Sequence, residues 1–309
     1  MPTSGPSSAA TTPAEPGQGH PVGAKPWGVA LDSKAGRLYT ANEGEDSVSV
    51  VDASTFSVIA TVPAGSGPSS VAVNPTTGLV YVTNSFNATM TVIDGGRAEV
   101  VATVVVGRRP WDVVVDPAPN RIYVANADDN TISVIDGATH QVVDTLLGVA
   151  EPLGLAVAAG AGMLYAASGS GVVQAIDLAS GQVVATVKVG DRPSGLALDA
   201  ATGRLYVTNM ESGTVSVVDV AAQTVIASVA VGDVPLAAAL DASAGRLYVV
   251  NSFDDSLSVI DTATNQLLAT VPAGRKPWDV TLSDDGSLVY VADSGSSEVR
   301  VLPAKDIVP

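Results

Sequence analysis

The chain contains no cysteine. Disulfides, thiolate catalysis and sulfur-ligated metals are therefore excluded, and the redox compartment stays open. Its two histidines, His20 and His140, are too few for most metal or triad chemistry. Basic residues are scarce: 15 Lys and Arg stand against 31 Asp and Glu, giving a net charge of −16. Such a surface repels nucleic acid and anionic membrane at long range, so a nucleic-acid partner is not expected. No apolar run approaches the roughly 18 residues needed to cross a bilayer, and no membrane span is expected. With only three Phe and three Trp in a hydrophobic content of 46%, the core must be mostly Val, Ala, Leu and Ile. These residues suit thin sheets packed face to face.

Residues 1–22 lack a positive n-region and an apolar h-region, so they are not an intact signal peptide. Their Pro, Ser, Thr, Ala and Gly content reads as a disordered tail, which leaves 23–309 as the folded domain.

What the chain does have is a period. Its seven tyrosines, Tyr39, Tyr81, Tyr123, Tyr165, Tyr206, Tyr248 and Tyr290, are spaced by 42, 42, 42, 41, 42 and 42 residues. A repeat of this length marks a repeat architecture. In the fifth repeat, four β-rich runs fall at about 195–198, 205–208, 215–218 and 225–229, here termed strands A to D. A proline precedes strand A in every repeat, from Pro26 to Pro277, and an Asp follows strand C at Asp52, Asp94, Asp136, Asp177, Asp219 and Asp261. Asp at a strand end can bond its own turn, which is a local reason for it to recur. Four antiparallel strands repeated seven times predict an all-β, seven-bladed β-propeller, an arrangement that leaves few unpaired edges.

Strand B reads YVTN at 81–84 and 206–209, YVAN at 123–126, YVVN at 248–251, YTAN at 39–42 and YVAD at 290–293. With the recurring V-I-D segments, the chain resembles the YVTN β-propeller repeat family over nearly its whole length. That resemblance implies a propeller of secreted, periplasmic or surface-layer type and no single activity. It points outside the cytoplasm, whereas the N-terminus fits a cytoplasmic chain, a removed leader or a truncated one. Blade four departs from the pattern, with Ser168 in place of the Asn, and is expected to be the least regular. The Asn of the other blades is expected to bond the turn after strand B.

The seventh repeat ends just after its strand C, so its strand D must come from the other terminus, at about 14–20 in register. That segment is a poor strand former. A three-stranded or weakly closed last blade is the expectation.

In a four-stranded meander the D–A and B–C connections share one face, and the D–A connections lie nearest the axis. Six basic residues occur in the D–A turns: Lys25, Arg108, Arg109, Arg192, Arg275 and Lys276. All three tryptophans, Trp27, Trp111 and Trp278, follow a turn proline. This predicts a mouth that binds an anionic or aromatic small molecule, or a protein partner, through Trp27, Trp111, Trp278, Lys25, Arg109, Arg192 and Lys276. The competing account is packing: each Trp covers the channel entrance and each basic residue pairs with an acid.

Asp112 and Asp279 follow two of the tryptophans and are candidate general acid or base groups, or merely caps of the strand turn. The B–C loops carry acidic residues but no spaced ligand motif such as D-x-D-x-D-G, so no metal site is assigned. No motif identifies a cofactor. His140 falls in a C–D turn on the opposite face, and His20 in the tail. Three readings follow: a binding propeller, an enzyme of hydrolase, lyase or cyclase type using the same mouth, and a passive surface-array component.

Overall fold

A computed structural model describes residues 17–308. Residues 1–16 of the expected tail lie outside the described residues. In the fifth repeat the four strands run Pro193–Asp199, Arg204–Asn209, Thr214–Asp219 and Thr224–Ala230. These extend one or two residues beyond the sequence-based limits, where strand ends are least defined. The turn aspartates act as expected. Asp52, Asp94, Asp136, Asp219 and Asp261 each accept the backbone N–H groups two and three residues on.

Seven four-stranded antiparallel sheets result. Each strand A touches the strand A of the next blade, and blade seven touches blade one, so the sheets form a closed ring. The core is divided among the blade interfaces. Tyr39 of blade one, fully buried, packs with Val71, Val80, Val82 and Ile93 of blade two, and six similar clusters fill the other interfaces. The Tyr39 hydroxyl donates to Gly95 O in the C–D turn of blade two at 3.2 Å. The strand-B tyrosine thus recurs because it joins one blade to the next.

The last blade is not three-stranded. Gly19–Pro21 pairs antiparallel with Glu298–Pro303, placing Gly19 opposite Arg300 and Pro21 opposite Glu298. A poor strand former is recruited because strand C would otherwise present unpaired backbone groups. The low propensity shows only in the length, three residues. His20 is therefore structural: its ring lies against Phe56 of blade one, centroids 4.7 Å apart. Blade seven also lacks a C–D turn, and a short helix, Ala304–Ile307, takes that place. Its Ala304 and Ile307 are buried in the interface cluster of blade six with blade seven.

Blade four, expected to be the least regular, keeps all four strands. Its strands Pro152–Ala158, Met163–Ser168, Val172–Asp177 and Gln182–Lys188 form a complete sheet. The change is local to the end of strand B. Elsewhere the family Asn reaches further than the B–C turn. Asn84 Nδ2 donates to Thr89 Oγ1 (2.9 Å) and Thr91 Oγ1 (3.0 Å) on strand C, and its Oδ1 accepts Gly65 N (3.1 Å) from the D–A turn. Asn126 and Asn209 repeat this pattern. In blade four Ser168 Oγ instead donates to Ala150 O.

Candidate functional site

The D–A turns surround one end of the channel, and their geometry starts from an unusual backbone. The residue before each turn proline has positive φ: Lys25, Gly67, Arg109, Glu151, Arg192, Val234 and Lys276, between 45° and 66°. Only blade two uses glycine. Left-handed backbone is costly for a residue with a Cβ, and most of all for a β-branched one. Neighbouring loops hold the turns. Asp46 Oδ1 accepts Gly67 N (2.8 Å), Asn130 Oδ1 accepts Glu151 N (2.7 Å) and Asp255 Oδ1 accepts Lys276 N (2.7 Å). Part of the acidic B–C loop content thus has a structural task.

After the turn proline come Trp27, Ser69, Trp111, Leu153, Ser194, Leu236 and Trp278 in blade order. The three indoles meet. Trp27 and Trp278 stack with centroids 4.4 Å apart and planes 6° from parallel, and Trp111 approaches Trp27 at 6.1 Å and 51°. Trp111 of blade three thus reaches Trp27 of blade one past blade two, whose residue at this place is the small, buried Ser69.

The basic residues are mostly paired with acids, so the mouth is not a free cationic ring. Lys25 Nζ lies 3.3 Å from Glu43, and Arg108 Nε 2.6 Å from Asp129. Arg109 contacts Asp128 at 3.2 Å and Glu151 at 3.1 Å; Arg192 contacts the same Glu151 at 3.7 Å and Glu211 at 3.8 Å. A chain of ion pairs thus crosses blades three to five. Arg109 also lies over the Trp111 ring, 5.4 Å from its centroid. Among the described residues Arg275 and Lys276 form no ion pair.

Below the indoles is a cavity of about 300 Å³, walled by the A strands and lined by Trp27, Trp111, Trp278, Asp112 and Asp279 among others. Both carboxylates bridge blades. Asp279 Oδ2 accepts Val29 N of blade one at 2.9 Å, and Oδ1 accepts Val280 N at 2.8 Å. Asp112 Oδ2 accepts Leu155 N of blade four (2.9 Å), and Oδ1 accepts Ser70 Oγ of blade two (2.8 Å). Both residues are half-buried and line the cavity. Burial pushes the Asp279 carboxyl up to about 7; the Asp112 charge adds to this, and the two backbone N–H bonds oppose it. Burial also raises Asp112, against three hydrogen bonds.

One surface group had no signal in the repeat pattern. Phe86, 64% exposed in the B–C loop of blade two, borders a second groove with Trp27, Trp111, Arg108 and Arg109. Its ring lies over Gly67, where a Cβ would come within 2.5 Å of it. The sequence segment NSF, at 84–86 and again at 251–253, is the only trace of it, since Phe253 is exposed likewise. His140 sits in the C–D turn of blade three with positive φ, on the opposite face.

Among solved structures, a chain of Kuenenia stuttgartiensis Hydrazine Synthase superposes with a TM-score of 0.82 and 22% sequence identity, covering 97% of this chain and 99% of that one. At this identity the likeness shows the fold alone. No curated protein sequence matches. The family model described as YNCE-like beta-propeller matches residues 80–239, just over half of the 309-residue chain. The chain belongs to the YNCE-like β-propeller family.

Proposed function

We propose that this propeller binds a small ligand, or an inserted side chain of a partner, at the tryptophan-lined end of its channel. One observation carries this reading: tryptophans from three of seven repeats, and from no others, converge over a cavity lined by two aspartates. A scaffold role would apply equally to every blade. Aromatic faces with a few convergent polar groups are the usual make-up of a ligand pocket. The rim residues Lys25, Arg109, Arg192 and Lys276 shape the approach to it, and ion pairing leaves only Lys276 of these four unneutralised among the described residues. Titrating intrinsic tryptophan fluorescence against aromatic and aliphatic molecules of each charge tests the reading. A saturable change that Trp111→Ala abolishes is expected; no response to any class would refute it.

A second reading, an enzyme in the same cavity, is favoured by one observation. A carboxyl held near 7 can donate or accept a proton at neutral pH. Turnover of a bound molecule, lost in Asp279→Asn with binding retained, would select this reading.

A further inference from the structure

The charges around the mouth are unevenly matched. Most basic residues of the rim are paired with acids, either of the outer loops or, at Glu151, of the rim itself. Inside, Asp112 and Asp279 are the only ionisable groups among the described residues lining the cavity, and neither forms an ion pair. At the level of these two carboxylates the other blades supply Gly28, Ser70, Gly154, Gly195 and Ala237, so the wall there carries little side-chain bulk. Close packing enforces part of this: a Cβ on Gly195 would come within 2.5 Å of Leu236 O, and one on Gly154 would collide with Ser194 O.

We propose that the cavity takes a compact organic cation, an alkylammonium group, between the indoles of Trp27, Trp111 and Trp278 and the carboxylates of Asp112 and Asp279. This rests on the ligand-binding reading above and assigns its ligand class. Indole faces attract a desolvated cation, and two carboxylates sharing a low-dielectric space lack the counter-charge that buried charges ordinarily have. An anion would meet those carboxylates directly. A bare metal ion would leave the indoles and the Val29, Val113 and Val280 walls without apolar contact. Burial, and to a lesser extent the Asp112 charge, raise the Asp279 carboxyl.

The experiment is a fluorescence titration of the whole chain with tetramethylammonium chloride, tert-butanol and sodium pivalate, three probes of similar size and different charge. Sodium chloride holds ionic strength constant. Only tetramethylammonium is expected to give a saturable change. Because the cation competes with a proton on Asp279, its Kd should rise as pH falls below about 7 and level off towards the Kd of the Asp279→Asn variant. Asp279→Asn and Asp112→Asn should each raise Kd about tenfold or more, equivalent to one lost charge contact. If one variant fails to fold, the other and the pH dependence of the unaltered protein still decide. Equal binding of pivalate or tert-butanol, or a Kd indifferent to both pH and variants, overturns the assignment. Pivalate binding that Trp111→Ala abolishes would remove the cation and leave the mouth as a site. No response to any of the three probes also overturns the cation, and the mouth is then judged on the wider panel.

Discussion

Val149 and Ser168 are a matched exception in blade four. Three residues before the turn proline, the other six blades have Gly23, Gly65, Gly107, Gly190, Gly232 and Gly274, and strand B there ends in Asn or Asp. The glycine is needed because the longer side chain fills its space. A Cβ on Gly107 would lie 2.6 Å from Asn126 Cγ, and the same collision recurs in the other five. Where strand B ends in the shorter Ser168, the glycine position is taken by Val149, which is buried in the core between blades three and four.

Ser168→Asn alone should therefore overpack the site and destabilise the protein by about 1–3 kcal/mol. Val149→Gly alone should also destabilise, through loss of a buried side chain. The double variant should recover a coupling energy of about 0.5–3 kcal/mol. Urea unfolding of the four proteins measures this cycle. Strict additivity would show that the two positions do not share space.

Val234 presents a simpler case. It is a β-branched residue held at φ 52° before Pro235, where blade two has Gly67 at 66°. Val234→Gly should relieve strain of about 1–3 kcal/mol and give back part of it as chain entropy. A net stabilisation of about 1 kcal/mol is expected in thermal or urea melts. A loss of stability would mean that the Val234 side chain contributes more by packing than its backbone costs.

Closure depends on Gly19–Pro21. A chain beginning at residue 22 should lose three cross-strand pairs with Glu298–Pro303 and the His20–Phe56 contact. At about 1 kcal/mol per hydrogen bond, the loss relative to a chain beginning at residue 17 should be about 2–4 kcal/mol. Amide exchange should rise first in Glu298–Pro303. Unchanged protection there would mean that the closing strand contributes nothing.

Stability should also depend on pH in two opposed windows. The Asp52 carboxylate is held down to about 2, chiefly by the Ser54 hydroxyl, so its contribution is complete above about 4 and is lost as pH falls towards 2. Asp279 acts in reverse. Folded, it keeps its proton up to about 7, whereas the unfolded chain releases it near 4, so stability falls as pH rises from about 4 to about 7 and then levels off. Asp279→Asn should flatten the second window and leave the first intact. A slope between pH 5 and 7 that is the same in both proteins would show that another group carries it.

The repeat made the fold legible. A tyrosine every 41 or 42 residues, with a proline and an aspartate in fixed phase, encodes local turns and nearest-neighbour contacts, and such information is carried by short stretches of chain. The order of the D–A turns likewise placed Trp27, Trp111 and Trp278 on one face. Their stacking was not legible, because it depends on blade seven meeting blade one. The basic turn residues were visible as charges, but their acidic partners lie on other loops, some in other blades. A count of charges in one turn therefore overstates the free charge of the mouth.

The sequence by itself determined seven antiparallel blades, the face that carries the tryptophans, and the aspartates that seal each C–D turn. Ring closure decided the rest: the short strand Gly19–Pro21 completing blade seven, the paired rim, and the shared cavity that raises Asp279. The physical reason is range. Strand period and turn chemistry act between near neighbours in the chain, whereas burial, counter-charge and stacking act between groups that meet only when the first and last blades come together.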